Sequence, residues 1–217
     1  MNKWIDLETF KGMLKDGLSI FVGGFLTCGT PEPLIDMVIA SGVKDLTIIC
    51  NDAGMPDKGV GRLIANHQVK KLIATHIGTN PFAGQGMSNG TLEVELCPQG
   101  SLVERIRAFG SGLGGVLTPV GRHTLSEKGK QIITVDGKEF LLEKALGADI
   151  ALIEARQADI LGNLTYAKTA RNFNPVMATA AHVVFAYVYH KVESIDPEAV
   201  ITPHIFIDYL IGGQHNA

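Results

Sequence analysis

Ile20-Phe21-Val22-Gly23-Gly24-Phe25-Leu26-Thr27-Cys28-Gly29-Thr30-Pro31-Glu32 is the stretch on which the fold turns. The triplet Ile20–Val22 reads as a buried strand, and Asp16-Gly17 ahead of it breaks the helical spacing of Leu7, Phe10, Met13 and Leu14. A glycine-rich turn follows, then Thr30-Pro31-Glu32: a capping hydroxyl, a proline at the first helical position and an early acid. Leu34, Ile35, Val38 and Ile39 share one face of the helix predicted to begin at Thr30.

Outward from this unit, Leu46–Cys50, Leu72–Thr75, Leu92–Leu96 and Ile150–Ile153 are apolar runs separated by helix-like or loop stretches. That rhythm predicts the α/β class: a mostly parallel sheet with helices on both faces. Asp136-Gly137, between Ile132–Val135 and Glu139–Leu142, predicts an antiparallel hairpin excursion attached to that sheet. A helix is expected from near Ser101, another over Asn174–Ala181 with Asn174 as its cap, and a strand over Val183–Val188; the tail from Ile201 gives no clear pattern. With 217 residues and no linker or repeat, the expectation is a single domain over 1–217.

Composition narrows the function classes. At 46% hydrophobic and 19% charged residues, disorder is excluded. Glycine is in excess, 25 of 217 against a usual share of roughly 7%. A net charge of −3 without a Lys/Arg block argues against nucleic acid and membrane as partners. Cys28, Cys50 and Cys97 lack ligand or framework spacing and no HExxH occurs, so no metal site and no disulfide are expected. Cys28, near the predicted helix start, reads as a small buried thiol over a thiol of lowered pKa. Acids within Met1–Glu8, where a signal peptide is apolar, predict a cytoplasmic protein.

Three places invite chemistry. Gly23, Gly24, Phe25, Leu26, Thr27, Cys28 and Gly29 lie between a strand end and a helix start, which suits an anion such as phosphate, or equally a crossover that needs glycine for steric reasons. Gln99 follows a predicted strand and either donates to a developing oxyanion or is a loop glutamine facing water. Asn51-Asp52-Ala53-Gly54 follows another strand and leaves the same pair of readings, with an Asx-turn as the plain one. Gly110–Gly115 follows a helix, so it is not a dinucleotide fingerprint, and no GxSxG elbow exists. The residues alone identify no nucleophile.

The stretch Asp16–Pro31, with its Asp-Gly, apolar triplet, Gly-Gly-Phe and Gly-Thr-Pro, resembles the first signature of the A (alpha) subunits of class I coenzyme A transferases. Similarity continues through Asn51–Gly54, Glu93–Gly100, Glu104–Arg107, Leu117–Gly121, Leu161–Tyr166 and Ala170–Pro175. The resemblance implies the coenzyme A transferase fold and a CoA-transfer activity with CoA or acyl-CoA as substrate and no permanently bound cofactor. It implies a B subunit as partner carrying the catalytic glutamate in a Ser-Glu-Asn-Gly motif, which this chain lacks. Association of A subunits with one another inside a larger A/B assembly is also expected. Gln99 then takes the oxyanion-donor role and Gly23–Gly29 the coenzyme A loop, on the resemblance and not on spacing.

Within that family, His76–Pro81 and Asn174-Pro175 look more like enzymes of acetate, butyrate or acetoacetate than of 3-oxoadipate. Phe109 departs from a usual glycine, either narrowing a loop near the site or filling a subunit contact, and Phe185–His190 replaces a usually acidic segment. Three rival readings stand beside this one: the A subunit of a 3-oxoadipate or other 3-oxoacid CoA-transferase, a sugar-phosphate isomerase or sensor of similar design, and a non-catalytic scaffold.

Overall fold

The structure, a computed structural model, describes residues 3–213. In chain order, α1 (Leu7–Gly12) precedes β1 (Ser19–Val22). Then α2 (Glu32–Ser41), β2 (Leu46–Ile49), α3 (Val60–Ala65), β3 (Val69–Ala74), α4 (Pro81–Asn89) and β4 (Glu93–Leu96) make three successive helical crossovers. From α5 (Gln99–Gly110) the chain enters β5 (Gly115–Thr118), β6 (Ile132–Val135) and β7 (Lys138–Lys144). It returns through β8 (Ala148–Ala158), β9 (Leu164–Thr165), α6 (Asn174–Ala178), β10 (Ala181–Lys191) and β11 (Tyr209–Gly212).

The main sheet runs β11-β10-β8-β1-β2-β3-β4, all parallel, with β9 antiparallel beside β8. Successive strands grow outward from β1 to β4, and the chain then crosses to the far side of β1. The order therefore reverses between β1 and β8, where Val22 lies opposite Leu152. Open α/β sheets hold their ligands beyond the strand C-termini at such a reversal.

Alternation within the apolar runs fills both faces. Ile20, Val22, Ile48, Cys50, Leu72 and Leu152 join Phe10, Leu34, Ile35 and Leu63 in one cluster under α1 to α3. Phe21, Ile49, Ile73, Ala151 and Ile153 join Leu102, Ile106 and Met177 under α5 and α6. Strands covered twice read as continuous apolar runs, which is why the sequence reveals them.

Several boundaries differ from the sequence expectation. The helix predicted at Thr30 begins at Glu32, with Pro31 in the cap position and no side-chain cap. Thr30 still belongs to the turn: its amide donates to the Thr27 carbonyl at 3.4 Å, and its hydroxyl fills the space beside Gly24. The helix expected near Ser101 starts two residues earlier, at Gln99, directly after Pro98. Helix α6 stops at Ala178, and Ala181 already opens β10.

Asp136 and Gly137 adopt left-handed φ of 49° and 75° and close the hairpin. It does not extend the main sheet, however; β6 and β7 pair with β5 in a separate three-stranded antiparallel sheet. Arg105 of α5 ties the two together, donating to the Lys144 carbonyl at 3.1 Å and to Glu95 Oε1 at 2.8 Å. The tail from Ile201 supplies edge strand β11. The ends of the 1–217 span, residues 1–2 and 214–217, lie outside the described residues.

Both Phe109 and the Phe185–His190 segment find places here. Phe109 lies on the last turn of α5, about 15 Å along the helix from Gln99 at 1.5 Å per residue, so it does not narrow a loop beside that residue. Its ring covers Gly147 and meets His182 edge-on at 6.1 Å. Phe185–His190 lies within β10 with Phe185, Ala186 and Val188 buried and Tyr189 exposed; Phe185 packs against Phe10 and Tyr209 at 4.8 and 5.1 Å.

Candidate active site

The loops after β1, β2 and β4 meet at the strand C-termini. Phe25 and Cys28 exchange two backbone hydrogen bonds of 3.0 Å, with Leu26 and Thr27 at φ 45° and 69° between them. This is a two-residue hairpin turn with both central residues left-handed, an uncommon conformation for non-glycine residues. Its amides are largely committed inside the protein: Gly23 donates to Leu152 O at 2.9 Å, Gly24 to Asn172 Oδ1 at 3.2 Å, and Leu26 to Asp52 Oδ2 at 2.8 Å. What the turn shows outward is apolar, the exposed Phe25 and Leu26 side chains. Cys28 is exposed, not buried as the sequence suggests, because the turn carries it off the sheet; its thiol lies 3.3 Å from Thr169 Oγ1.

Asn174 anchors the loop from behind. The sequence reads it as a helix cap, but it is the first residue of α6 and fully buried. Its Oδ1 accepts the Glu154 amide at 3.0 Å, and its Nδ2 donates to Gly29 O at 2.9 Å and Ala170 O at 2.7 Å. A Cβ on Gly23 would lie 1.8 Å from that Oδ1, so the glycine is required by the asparagine. Asn172, whose role the sequence does not reveal, accepts from Gly24 and donates to Cys28 O at 2.9 Å.

On the other side of the crevice, buried Asp52 accepts from Leu26, from Asn51 Nδ2 at 2.8 Å and from the Gly54 amide at 2.9 Å, the last being the Asx-turn foreseen from sequence. Asn51 Oδ1 in turn accepts Gln99 Nε2 at 2.7 Å. Gln99 stands on the first turn of α5, at the positive end of the helix dipole. With Phe25 it lines an open groove of about 1280 Å³ walled by α5, β5 and Phe206 and bordered by Arg107 and Arg171. The groove thus brings together Gln99 and one edge of the glycine turn, while Gly23, Gly24 and Thr27 sit behind with Asn51 and Asp52.

Nearby, burial and then the like charge of Glu32 raise the Glu154 carboxyl, against the pull of a 3.0 Å hydrogen bond from Tyr189. Burial, and then Asp52, push the Cys50 thiol well up, which disfavours its thiolate form. Among the described residues no group of three His, Cys, Asp or Glu side chains is placed to hold a metal, and no helix is long and apolar enough to cross a membrane.

Residues 8–213 match the family described as Coenzyme A transferase. The chain belongs to the coenzyme A transferase family. Among its relatives, the acetate CoA-transferase subunit alpha of Escherichia coli (strain K12) is 48% identical over 216 residues, covering 99% of this chain and 98% of the relative. The acetoacetyl-CoA:acetate/butyrate CoA transferase alpha subunit of Clostridium acetobutylicum is 51% identical over 212 residues, 97% of each chain. In fold, the chain is similar to the acyl-CoA transferase YdiF of E. coli O157:H7, solved as a thioester complex with CoA, with a TM-score of 0.85 at 21% identity. That match covers 97% of this chain and 47% of YdiF, so this coenzyme A transferase chain spans about half of that one. These relatives favour a transferase over the sugar-phosphate isomerase reading.

Proposed function

We propose that this chain is the A subunit of a short-chain acyl-CoA:acetate or acetoacetate CoA-transferase, working on a site it shares with a B subunit. The observation that carries the reading is the Gln99 carboxamide, fixed on Asn51 at the mouth of the groove. Alpha subunits of this substrate class at 48% and 51% identity support the choice of carboxylates.

In this scheme a glutamate of the partner attacks the thioester of an acyl-CoA, giving an acyl–glutamyl anhydride and CoA thiolate. The thiolate attacks the glutamyl carbonyl, releasing the first carboxylate and leaving a glutamyl-CoA thioester. An acceptor carboxylate reverses the two steps in ping-pong order. Each attack places negative charge on a carbonyl oxygen, and Gln99 donates to it. Residues Gly23–Gly29 border the coenzyme A, contributing Phe25 and Leu26 as apolar contacts. Coenzyme A enters as substrate with no permanently bound cofactor, A subunits associate with one another in the assembly, residues 1–217 act as one domain, and three free cysteines suit the cytoplasm.

The test compares the isolated chain with the chain co-purified with its B subunit, assaying CoA transfer from acetyl-CoA to C2–C6 carboxylates. Activity appears only in the complex, and Gln99→Ala lowers turnover about 10²- to 10³-fold without preventing assembly. Undiminished activity of the isolated chain refutes the shared site; unchanged turnover in the Gln99 variant leaves a scaffold. Preference for 3-oxoadipate over acetate and acetoacetate would replace the substrate class.

A further inference from the structure

The carboxylate of Asp52 meets hydrogen-bond donors on every side. Leu26 N–H and Asn51 Nδ2 reach Oδ2 at 2.8 Å each, and Gly54 N–H reaches Oδ1 at 2.9 Å. A carboxylate, accepting at both oxygens, satisfies that ring; a carboxamide in its place would turn its own NH2 against at least one of the donors. The Asx-turn explains only the Gly54 bond. The other two connect Asp52 to the glycine turn and to Asn51.

Because Asp52 only accepts, it decides which end of the Asn51 amide faces it: the NH2. Asn51 Oδ1 is thereby turned the other way, where it accepts Gln99 Nε2 at 2.7 Å and faces Thr75 Oγ1 at 3.3 Å. Gln99 must in consequence present its NH2, not its carbonyl, on that side. One hydrogen of that NH2 is used on Asn51. Among the described residues the second has no protein acceptor, and Gln99 lines the groove.

We propose that Asp52 is a positioning residue: acting through Asn51, it holds the Gln99 carboxamide with its NH2 toward the reacting carbonyl, and through Leu26 it ties the Phe25–Cys28 turn to the same point. This rests on the reading of Gln99 as oxyanion donor. A Gln99 amide rotated by half a turn would set Oε1 against the developing negative charge, replacing attraction by repulsion. Asp52 is buried behind the turn, so it acts through its bonds to Asn51 and Leu26.

A double-mutant cycle in the A/B complex tests this, with acetyl-CoA and a short-chain carboxylate as substrates and kcat and KM measured separately. Asp52→Ala, which removes all three bonds, is expected to lower kcat about tenfold when Gln99 is present, while any change in KM for acetyl-CoA follows the loosened Leu26 turn and not Gln99. In the Gln99→Ala background the same substitution should cost less than about a further twofold. Equal fold-losses in both backgrounds, or no loss in either, overturn the proposal, since a general structural role is indifferent to Gln99. If Asp52→Ala does not assemble, Asn51→Ala breaks the chain at its middle while leaving Leu26 and Gly54 bonded to Asp52, and the same outcomes in kcat decide. Gln99→Ala with full turnover instead removes the oxyanion reading itself, which separates the two failures.

Discussion

Replacing Asn174 by alanine distinguishes two accounts of that residue by size. Loss of a helix cap costs typically about 1 kcal/mol. As a fully buried cross-link, Asn174 satisfies the Glu154 amide and two carbonyls, those of Gly29 and Ala170. Each buried group left without a partner costs about 1 to 3 kcal/mol, and carbonyls have a second lone pair to fall back on, so the sum expected is about 3 to 5 kcal/mol. Gly23→Ala gives an independent check, because its new Cβ would lie 1.8 Å from Asn174 Oδ1 and 2.6 Å from Cγ. Alone, it forces the asparagine aside and costs at least the about 1 to 3 kcal/mol of overpacking. In the Asn174→Ala background those atoms are gone, and Gly23→Ala should add less than about 1 kcal/mol. Urea unfolding followed by far-ultraviolet circular dichroism, at unchanged m, measures all four corners of the cycle. An Asn174→Ala loss of about 1 kcal/mol or less, or a Gly23→Ala penalty of equal size in both backgrounds, refutes the cross-link.

Glu154→Gln tests the raised carboxyl. An acid whose folded pKa lies above its unfolded value, about 4.3 for glutamate, keeps its proton longer when folded, so stability is lost as pH rises through that window. The glutamine still accepts from Tyr189, and the variant should have a higher Tm than the parent at pH 7 and no advantage at pH 4; an equal difference at both contradicts the sign. Phe109→Ala exposes Gly147 at the end of α5 far from Gln99, so it should cost about 2 kcal/mol in unfolding while turnover of the A/B complex stays unchanged. A fall in kcat would return Phe109 to the site.

The sheet was legible because its strands are buried on both faces: Ile20–Val22 and Ile150–Ile153 read as unbroken apolar runs. Asp136-Gly137 named its own turn, yet nothing local in it tells which strand the hairpin joins; that is set by β5 and by Arg105, a contact made 39 residues away at Lys144. Thr30 looked like a cap because a hydroxyl before Pro-Glu usually is one, and here the turn claims it first. The site was least legible. Gln99 owes its fixed amide to Asn51, 48 residues earlier, and Asn174 bonds to Gly29, 145 residues away. Polar side chains of this kind carry no periodicity: its place after a strand marks Gln99 as a candidate, and only the family resemblance chooses the donor role over a loop glutamine facing water.

The shared site requires that one particular subunit, the B subunit, becomes covalently loaded. Incubating the A/B complex with acyl-CoA alone, without acceptor, and weighing both subunits intact by mass spectrometry answers this directly. The expected result is coenzyme A in thioester linkage on the B subunit, with the mass of this chain unchanged. A CoA adduct on any glutamate of this chain would contradict it.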